Sequence, residues 1–384
     1  MENQSVGLEF YNQQKIFPVE QQISNLEKHF QVREALFRLL GVQPKFLEGK
    51  TILEVAAGLG QNALFLAAQG PAQFDICEPN HMAMEALKKN FKEAPVDCTE
   101  PTLFEEKFEN FNSGRAYDFV TCEGWLGGMT EYERDLIHKL GHLLKIGGVL
   151  LISFYPPIGG LSSYLRRMLA FRLIDPKDSI EVQTEKLVEA FKSHLNTLPH
   201  MSRSHEHWVQ DSLLNPHIYV GPLSPRMVFS TLGEKFTVSQ SIPGFRQEWR
   251  WYKSLHGENR QFNEEFLKNY DEISHNLIDY RFQHPGRAAE LNHALEDLSV
   301  KVIEAGAKYD TKGFQAYESE IAPHLAALVS NLAGLSKTEA YLGVKEAVDL
   351  LSRKAIQIQD VAQMSHFPAI FGREQCYLSL VREG

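Results

Sequence analysis

Cysteine is scarce. The chain has four in 384 residues and no C-x-x-C pair, so no disulfide framework is expected, and Cys77, Cys98, Cys122 and Cys376 read as reduced thiols. Long apolar runs are missing too, and none approaches the roughly 20 residues of a membrane-spanning helix. The first residues, Met1 to Ser5, have no basic head followed by an apolar stretch, so no signal peptide is expected. Basic charge is outnumbered, 39 Lys and Arg against 49 Asp and Glu, for a formal net charge of −10. Such a surface repels nucleic-acid phosphates, and no basic patch interleaved with aromatics offsets it. Neither nucleic acid nor membrane is expected as a partner, and the chain reads as a soluble cytoplasmic protein. Core material is plentiful: 43% of the residues are hydrophobic, and the length suits more than one domain.

The chain is organised around residues 51–63. Thr51 to Val55 reads as a buried parallel strand, Gly58 and Gly60 as a tight turn, and Gln61 to Ala68 as an amphipathic helix whose first amides face the turn. Gly58, Gly60 and Ala63 fit the G-x-G-x-x-G/A spacing of dinucleotide sites, which keeps a nicotinamide or flavin cofactor in view. Glu54 argues otherwise. A carboxylate at the end of the strand repels a pyrophosphate and attracts the ammonium of a methionine group. An acid followed by Ala56, Gly58 and Gly60 at every second position resembles the first motif of the class I S-adenosylmethionine-dependent methyltransferases. Ala56 departs from that motif, standing where its first glycine would be and somewhat narrowing the room for the cofactor.

A second strand, Ala72 to Cys77, ends in Glu78. An acid there, some way past the glycines, accepts both ribose hydroxyls of an adenosine in either cofactor reading. Pro79 and Asn80 then start a helix running to about Phe91. Pro95 to Cys98 reads as a brief third strand, and the resemblance implies that Asp97 or its neighbour Cys98 contacts the adenine. Tyr117 to Cys122 is a buried strand leaving into a glycine-rich loop, so Glu123 and Trp125 are expected in the same crevice as Glu54 and Glu78. After a helix over Thr130 to Leu144, Gly147 and Gly148 lead into an apolar fifth strand. That turn resembles the family's leucine-lysine-proline-glycine-glycine turn, with Ile146 in place of proline, and dehydrogenase domains generally lack it.

Around this frame the sequence adds further parts. A helix from Pro18 to Leu40 makes an N-terminal helical cap over residues 1–44, read either as cover for the cofactor or as plain core cover. The methyltransferase-like domain covers 45–256, with a helical lid inserted over 157–223. In the lid, His205, His207, Asp211 and His217 lie close together but match no established metal spacing, so no metal is expected. His205, His207 or His217 is a candidate general base, set against a plainer role in hydrogen-bonding the lid in place, and Glu123 is a candidate for orienting an acceptor proton. Lys235 to Ser241 and Glu248 to Ser254 read as the sixth and seventh strands of a hairpin, with Trp249, Trp251 and Tyr252 as core or hairpin cover.

From about residue 257 the periodicity becomes helical. Apolar stripes through Phe266 and Leu277, Leu291 and Val302, Ile321 and Leu332, and Val344 and Ile356 suggest a four-helix bundle over 257–384. Its use is open among a cap for the acceptor, a homodimer interface and a partner surface. Phe371 to Arg382 alternates like a strand that returns to the edge of the sheet.

The fold expected is α/β, a Rossmann-like, seven-stranded, mostly parallel, doubly wound sheet with an α-helical lid insertion and a C-terminal all-α bundle. The resemblance implies S-adenosyl-L-methionine held by Glu54, Ala56, Gly58, Gly60, Asn62, Glu78, Pro79, Asp97, Cys98, Glu123 and Trp125. It also implies methyl transfer to an oxygen or nitrogen of an acceptor, a small molecule on this reading because a long lid suits enclosure. Three rivals are a NAD-dependent oxidoreductase, a non-catalytic scaffold binding a partner protein through the bundle, and a nucleic-acid methyltransferase.

Overall fold

The computed structural model describes residues 25–312 and 320–384, apart from 129, 200, 202 and 217–220. The first helix among the described residues, α1 (Leu26–Leu39), is capped by the Asn25 side chain, which accepts from the Lys28 amide. Then β1 (Thr51–Val55), α2 (Gln61–Ala67), β2 (Gln73–Cys77), α3 (His81–Glu93), β3 (Thr102–Phe104), β4 (Tyr117–Cys122), α4 (Glu131–His142) and β5 (Leu144–Phe154) alternate, as a doubly wound sheet requires. The insertion follows as α5 (Pro157–Phe171), α6 (Ile180–Leu195), α7 (His205–Val209) with a π turn behind it, and α8 (Pro225–Leu232). Next come β6 (Phe236–Ile242), α9 (Phe262–Ile273), α10 (Ala289–Lys312), α11 (Ala322–Asn331), α12 (Glu339–Leu351), α13 (Ile358–Ala362) and, at the end, β7 (Cys376–Arg382).

The seven strands lie in the order β3-β2-β1-β4-β5-β7-β6. The first five are parallel, and β7 runs antiparallel to both β5 and β6. Alternate residues serve the two faces. Ile52, Phe74, Phe119 and Leu151 pack with Phe37 of α1 and Phe65 of α2. Leu53, Val120, Leu150 and Ile152 pack with α4 and α5 on the other side.

The seventh strand is not where the sequence pattern put it. Residues 248–254 do not form a strand, and Cys376–Arg382 lies between β5 and β6, an interior position rather than the edge. Both segments alternate, so period two alone does not separate them. The interior slot is covered on both faces and needs apolar side chains on both, which Leu378, Leu380, Tyr377 and Val381 provide. In the rejected segment, Arg250 alternates with the tryptophans and pairs with Glu248 at 2.5 Å. Trp249, expected as core or hairpin cover, is 91% exposed, with Trp251 and Tyr252 also exposed.

The C-terminal helices do not form a bundle of their own. Leu295, Val302, Leu325, Leu328, Val344 and Leu351 share one continuous core with α5 and the sheet. Helix α5 is buried from Pro157 to Ala170, apolar nearly all round as an internal helix must be. Its two arginines are hydrogen-bonded inside, although Arg166 Nη1 has no partner. Arg166 donates to the Phe367 and Pro368 carbonyls at 3.2 Å, and Arg167 to the Asn215 carbonyl at 2.8 Å. Much of the inserted segment is therefore central scaffold, and the stripes open to a dimer interface in the sequence are largely spent inside the chain.

A chain ending at residue 256 lacks β7 and the helices over α5. It is expected to give no cooperative thermal transition by circular dichroism, whereas a sheet independent of the C-terminal part would melt cooperatively.

Candidate active site

Strand register builds the site. Val55 stands level with Cys77 and with Cys122, so the residues just past three strand ends are neighbours: Ala56, Glu78 and Glu123. The carboxyl ends of parallel strands are where an open α/β sheet binds ligands. At β1 the chain turns through three left-handed residues, Ala56 (φ 59°), Gly58 (φ 55°) and Gly60 (φ 74°). Gly60 has no alternative, because a Cβ there would come within 2.6 Å of Leu87 Cγ. Gly58 has the same backbone but opens onto free space. Ala56 pays the steric cost that the glycine of the family motif would avoid.

Glu78 holds this turn together. Its carboxylate accepts from the Gly58 amide at 2.9 Å and the Asn80 amide at 2.8 Å, and Asn90 Nδ2 donates to the Leu59 carbonyl at 2.8 Å. Burial nevertheless holds the Glu78 carboxyl above its ordinary range. Pro79 follows on the surface, and Asn80 caps α3.

Glu54 faces the other way, toward α1. It is 3% exposed, and Oε2 has no hydrogen-bond partner. Burial, reinforced by the charge of Glu123, pushes its carboxyl up to about 8, against the opposing pull of Arg33. Arg33 comes from α1 and grips Glu123 with both terminal nitrogens, one at 2.9 Å. The side chains are 5% and 9% exposed. The Tyr377 hydroxyl also bonds to Glu123. Glu123, read from the sequence as orienting an acceptor proton or simply holding a backbone turn, is held in an internal ion pair with Arg33.

Beyond Glu123, the Gly124 amide donates to Ser153 Oγ at 2.7 Å, and Trp125 packs edge-on to Phe108 with ring centres 6.3 Å apart. Tyr155, just past β5, is 42% exposed yet lies within the fields of Asp211, Glu374 and Arg203. Glu374 lies two residues before β7, bonds to the Ser163 hydroxyl and is raised by burial. Arg203 pairs with Asp211 at 2.6 Å.

Several expected residues lie elsewhere. The third strand is Thr102–Phe104, and the Glu78 amide donates to the Phe104 carbonyl at 3.1 Å. Pro95 to Cys98 is irregular. The next residue, Thr99, bonds to the carbonyls of Ala67 and Pro71, at the end of α2 away from the glycine turn. Asp97 and Cys98 are therefore not brought to the crevice. His205 is half-buried and His207 exposed on the short helix α7, and His217 lies outside the described residues. Among the described residues no group of three His, Cys, Asp or Glu side chains is arranged to hold a metal.

The sequence reading missed Arg33, Tyr155, Glu374 and Tyr377. Arg33 did leave a trace: His29, Arg33 and Phe37 fall four apart on the buried stripe of α1, an odd place for an arginine.

No protein-family model matches the chain, and no curated protein matches it. Among solved structures it is similar to a methyltransferase from Clostridium acetobutylicum described as S-adenosylmethionine-dependent, at 18% identity and a TM-score of 0.27, over 36% of this chain and 52% of that one. It is also similar to magnesium protoporphyrin IX methyltransferase (ChlM) from Synechocystis with bound SAH, at 15% identity and a TM-score of 0.36, over 62% and 87%. A third is PKMT2 from Rickettsia typhi in complex with AdoHcy, at 16% and 0.39, over 62% and 50%. The chain spans about half the length of the first and the last. No residue role passes from these proteins to this one. The strand order itself, five parallel strands with an antiparallel seventh placed between the fifth and the sixth, keeps the expected Rossmann-like, seven-stranded, mostly parallel sheet.

Two consequences can be measured on the ligand-free protein. Glu54 is raised by folding, so it costs nothing below its unfolded value near 4.5, and its cost grows as pH climbs toward about 8. Glu54→Gln is therefore expected to raise the melting temperature over the native protein more at pH 8.5 than at pH 5, and an equal gain at both would remove the carboxyl as the cause. Ala56→Gly is expected to stabilise by about 1 kcal/mol in urea titrations, by relieving a left-handed alanine.

Proposed function

We propose that the chain is a methyltransferase that moves the methyl group of S-adenosyl-L-methionine to an oxygen or nitrogen of a small-molecule acceptor by in-line displacement. The observation that carries this reading is the buried, unpartnered Glu54 oxygen beside an open glycine turn. A site built of three glutamates suits an ammonium and a ribose and rejects a pyrophosphate, which disfavours the NAD reading.

The residues present fit the group. Gly58 offers a backbone with space beside it, Glu78 has lone pairs left for ribose hydroxyls, and Glu54 faces the amino-acid end. When bound, the sulfonium supplies an activated methyl whose leaving group is a neutral thioether. The protein's part is then mostly placement in a closed crevice. The acceptor's side is the wall made by Trp125, Tyr155 and Glu374. Glu374, held by the Ser163 hydroxyl and raised by burial, takes the proton that an attacking hydroxyl or amine gives up. This assignment replaces His205, His207 and His217 in that role, because Glu374 sits at a strand end beside Tyr155. Among the described residues no helix is long and apolar enough to cross a membrane.

The test is thermal unfolding with S-adenosylmethionine, S-adenosylhomocysteine, NAD or no ligand. A ligand at a hundred times its dissociation constant adds about 2.7 kcal/mol. A rise with the two adenosyl compounds, lost in Glu78→Ala, is expected, while a rise with NAD alone would overturn the proposal.

A further inference from the structure

Helix α1 is fastened over the crevice by contacts that aim one side chain into it. His29 Nε2 bonds to the Gln61 carbonyl at 3.1 Å, and Phe30 and Phe37 pack edge-on against Phe65 with ring centres 5.6 and 5.2 Å apart. Asn25 fixes the start of the helix, and Ser379 Oγ donates to the Leu40 carbonyl at its end at 2.6 Å. Between these anchors Arg33 is only 4% exposed.

The two terminal nitrogens of Arg33 are taken by Glu123, but its Nε–H has no partner. Glu54 Oε2, in the field of the same guanidinium, has none either. A buried donor and a buried acceptor left unmade at one place are costly, and native proteins rarely leave both. An α-amino acid carries the complementary pair on one carbon, a carboxylate that accepts and an ammonium that donates. The charge sum agrees. Glu54, Glu78 and Glu123 face a single cation, Arg33, so a zwitterion brings its positive end to the surplus acid and its negative end to the one guanidinium.

We infer that Arg33 receives the α-carboxylate of the cofactor's amino-acid end through Nε, opposite Glu54 on the ammonium, so that helix α1 makes the site selective for a ligand carrying both groups. This inference rests on the methyltransferase reading and extends it to a residue outside the glycine motif. Arg33 is here a positioning residue, remote from the methyl being transferred. An arginine is suited to the task because its planar fork can hold Glu123 through its two terminal nitrogens while offering Nε–H to a second anion.

The test is calorimetric binding of three ligands that differ only in the amino-acid end. These are S-adenosylhomocysteine, its decarboxylated analogue that keeps the amine, and methylthioadenosine, which has neither group. The native protein is expected to prefer S-adenosylhomocysteine over the decarboxylated analogue by thirtyfold or more. In Arg33→Met that preference should shrink to threefold or less, with methylthioadenosine binding unchanged, and Arg33→Lys should restore part of it. Because Arg33→Met strands Glu123, the pair Arg33→Met with Glu123→Gln is measured alongside, and methylthioadenosine binding reports that the nucleoside half is intact. If both variants keep the full preference, Arg33 does not hold the carboxylate. If the native protein binds none of the three, the methyltransferase reading itself falls.

Discussion

Three glutamates at adjacent strand ends, all nearly out of reach of water, set the terms for what surrounds them. Carboxyl groups so placed must be neutralised, paired or bonded, and the chain uses all three answers. Glu78 is bonded, by two amides of the turn it stabilises. Glu123 is paired, by an arginine delivered from a helix outside the sheet. Glu54 receives neither, and burial holds its carboxyl well above the usual carboxylate range. The placement of α1 follows from the second answer and the shape of the glycine turn from the first. The third leaves the site incomplete until something positive arrives.

This asymmetry separates two roles that a glycine-rich turn can serve. A turn built for a pyrophosphate presents bare amides and keeps acids away until the ribose is reached. Here one amide of the turn is already given to Glu78, and an acid sits inside the end of β1. The local backbone resembles both classes, so the distinction lies in electrostatics rather than in geometry.

Local features of the sequence were readable because their causes are local. Glu54, Gly58, Gly60 and Glu78 announce themselves by spacing along two strands and a turn, and the register of β1 with β2 and β4 does bring them together. Features that depend on a distant partner were not. The alternation in residues 248–254 is as good as that in 376–382, and only the need to bury both faces chooses between them. Pro95 to Cys98 looked like a strand because it is short and followed a helix, but the chain spends three more residues before pairing with β2. The apolar stripes after residue 257 correctly signalled helices. They were silent about what those helices would cover, which is α5 as well as one another. Arg33 was hidden because a lone arginine in an apolar stripe has no meaning until Glu123 is placed opposite it.

The position of β7 also constrains the order of events during synthesis. The β5 edge keeps its row of unpaired amides and carbonyls until residues 376–382 have emerged from the ribosome, after every helix described above has been made. The parallel half of the sheet can condense early, but β6 has no neighbour to hold it and α5 has only one of its two covers. A nascent chain in this state carries an open strand edge beside exposed apolar helix faces, the combination that invites pairing with another chain. Closing the sheet then joins segments far apart in the chain, a late and entropically expensive step. Pauses in translation and the availability of holding chaperones should therefore matter more for the yield of this protein than for one whose central strands come from neighbouring segments.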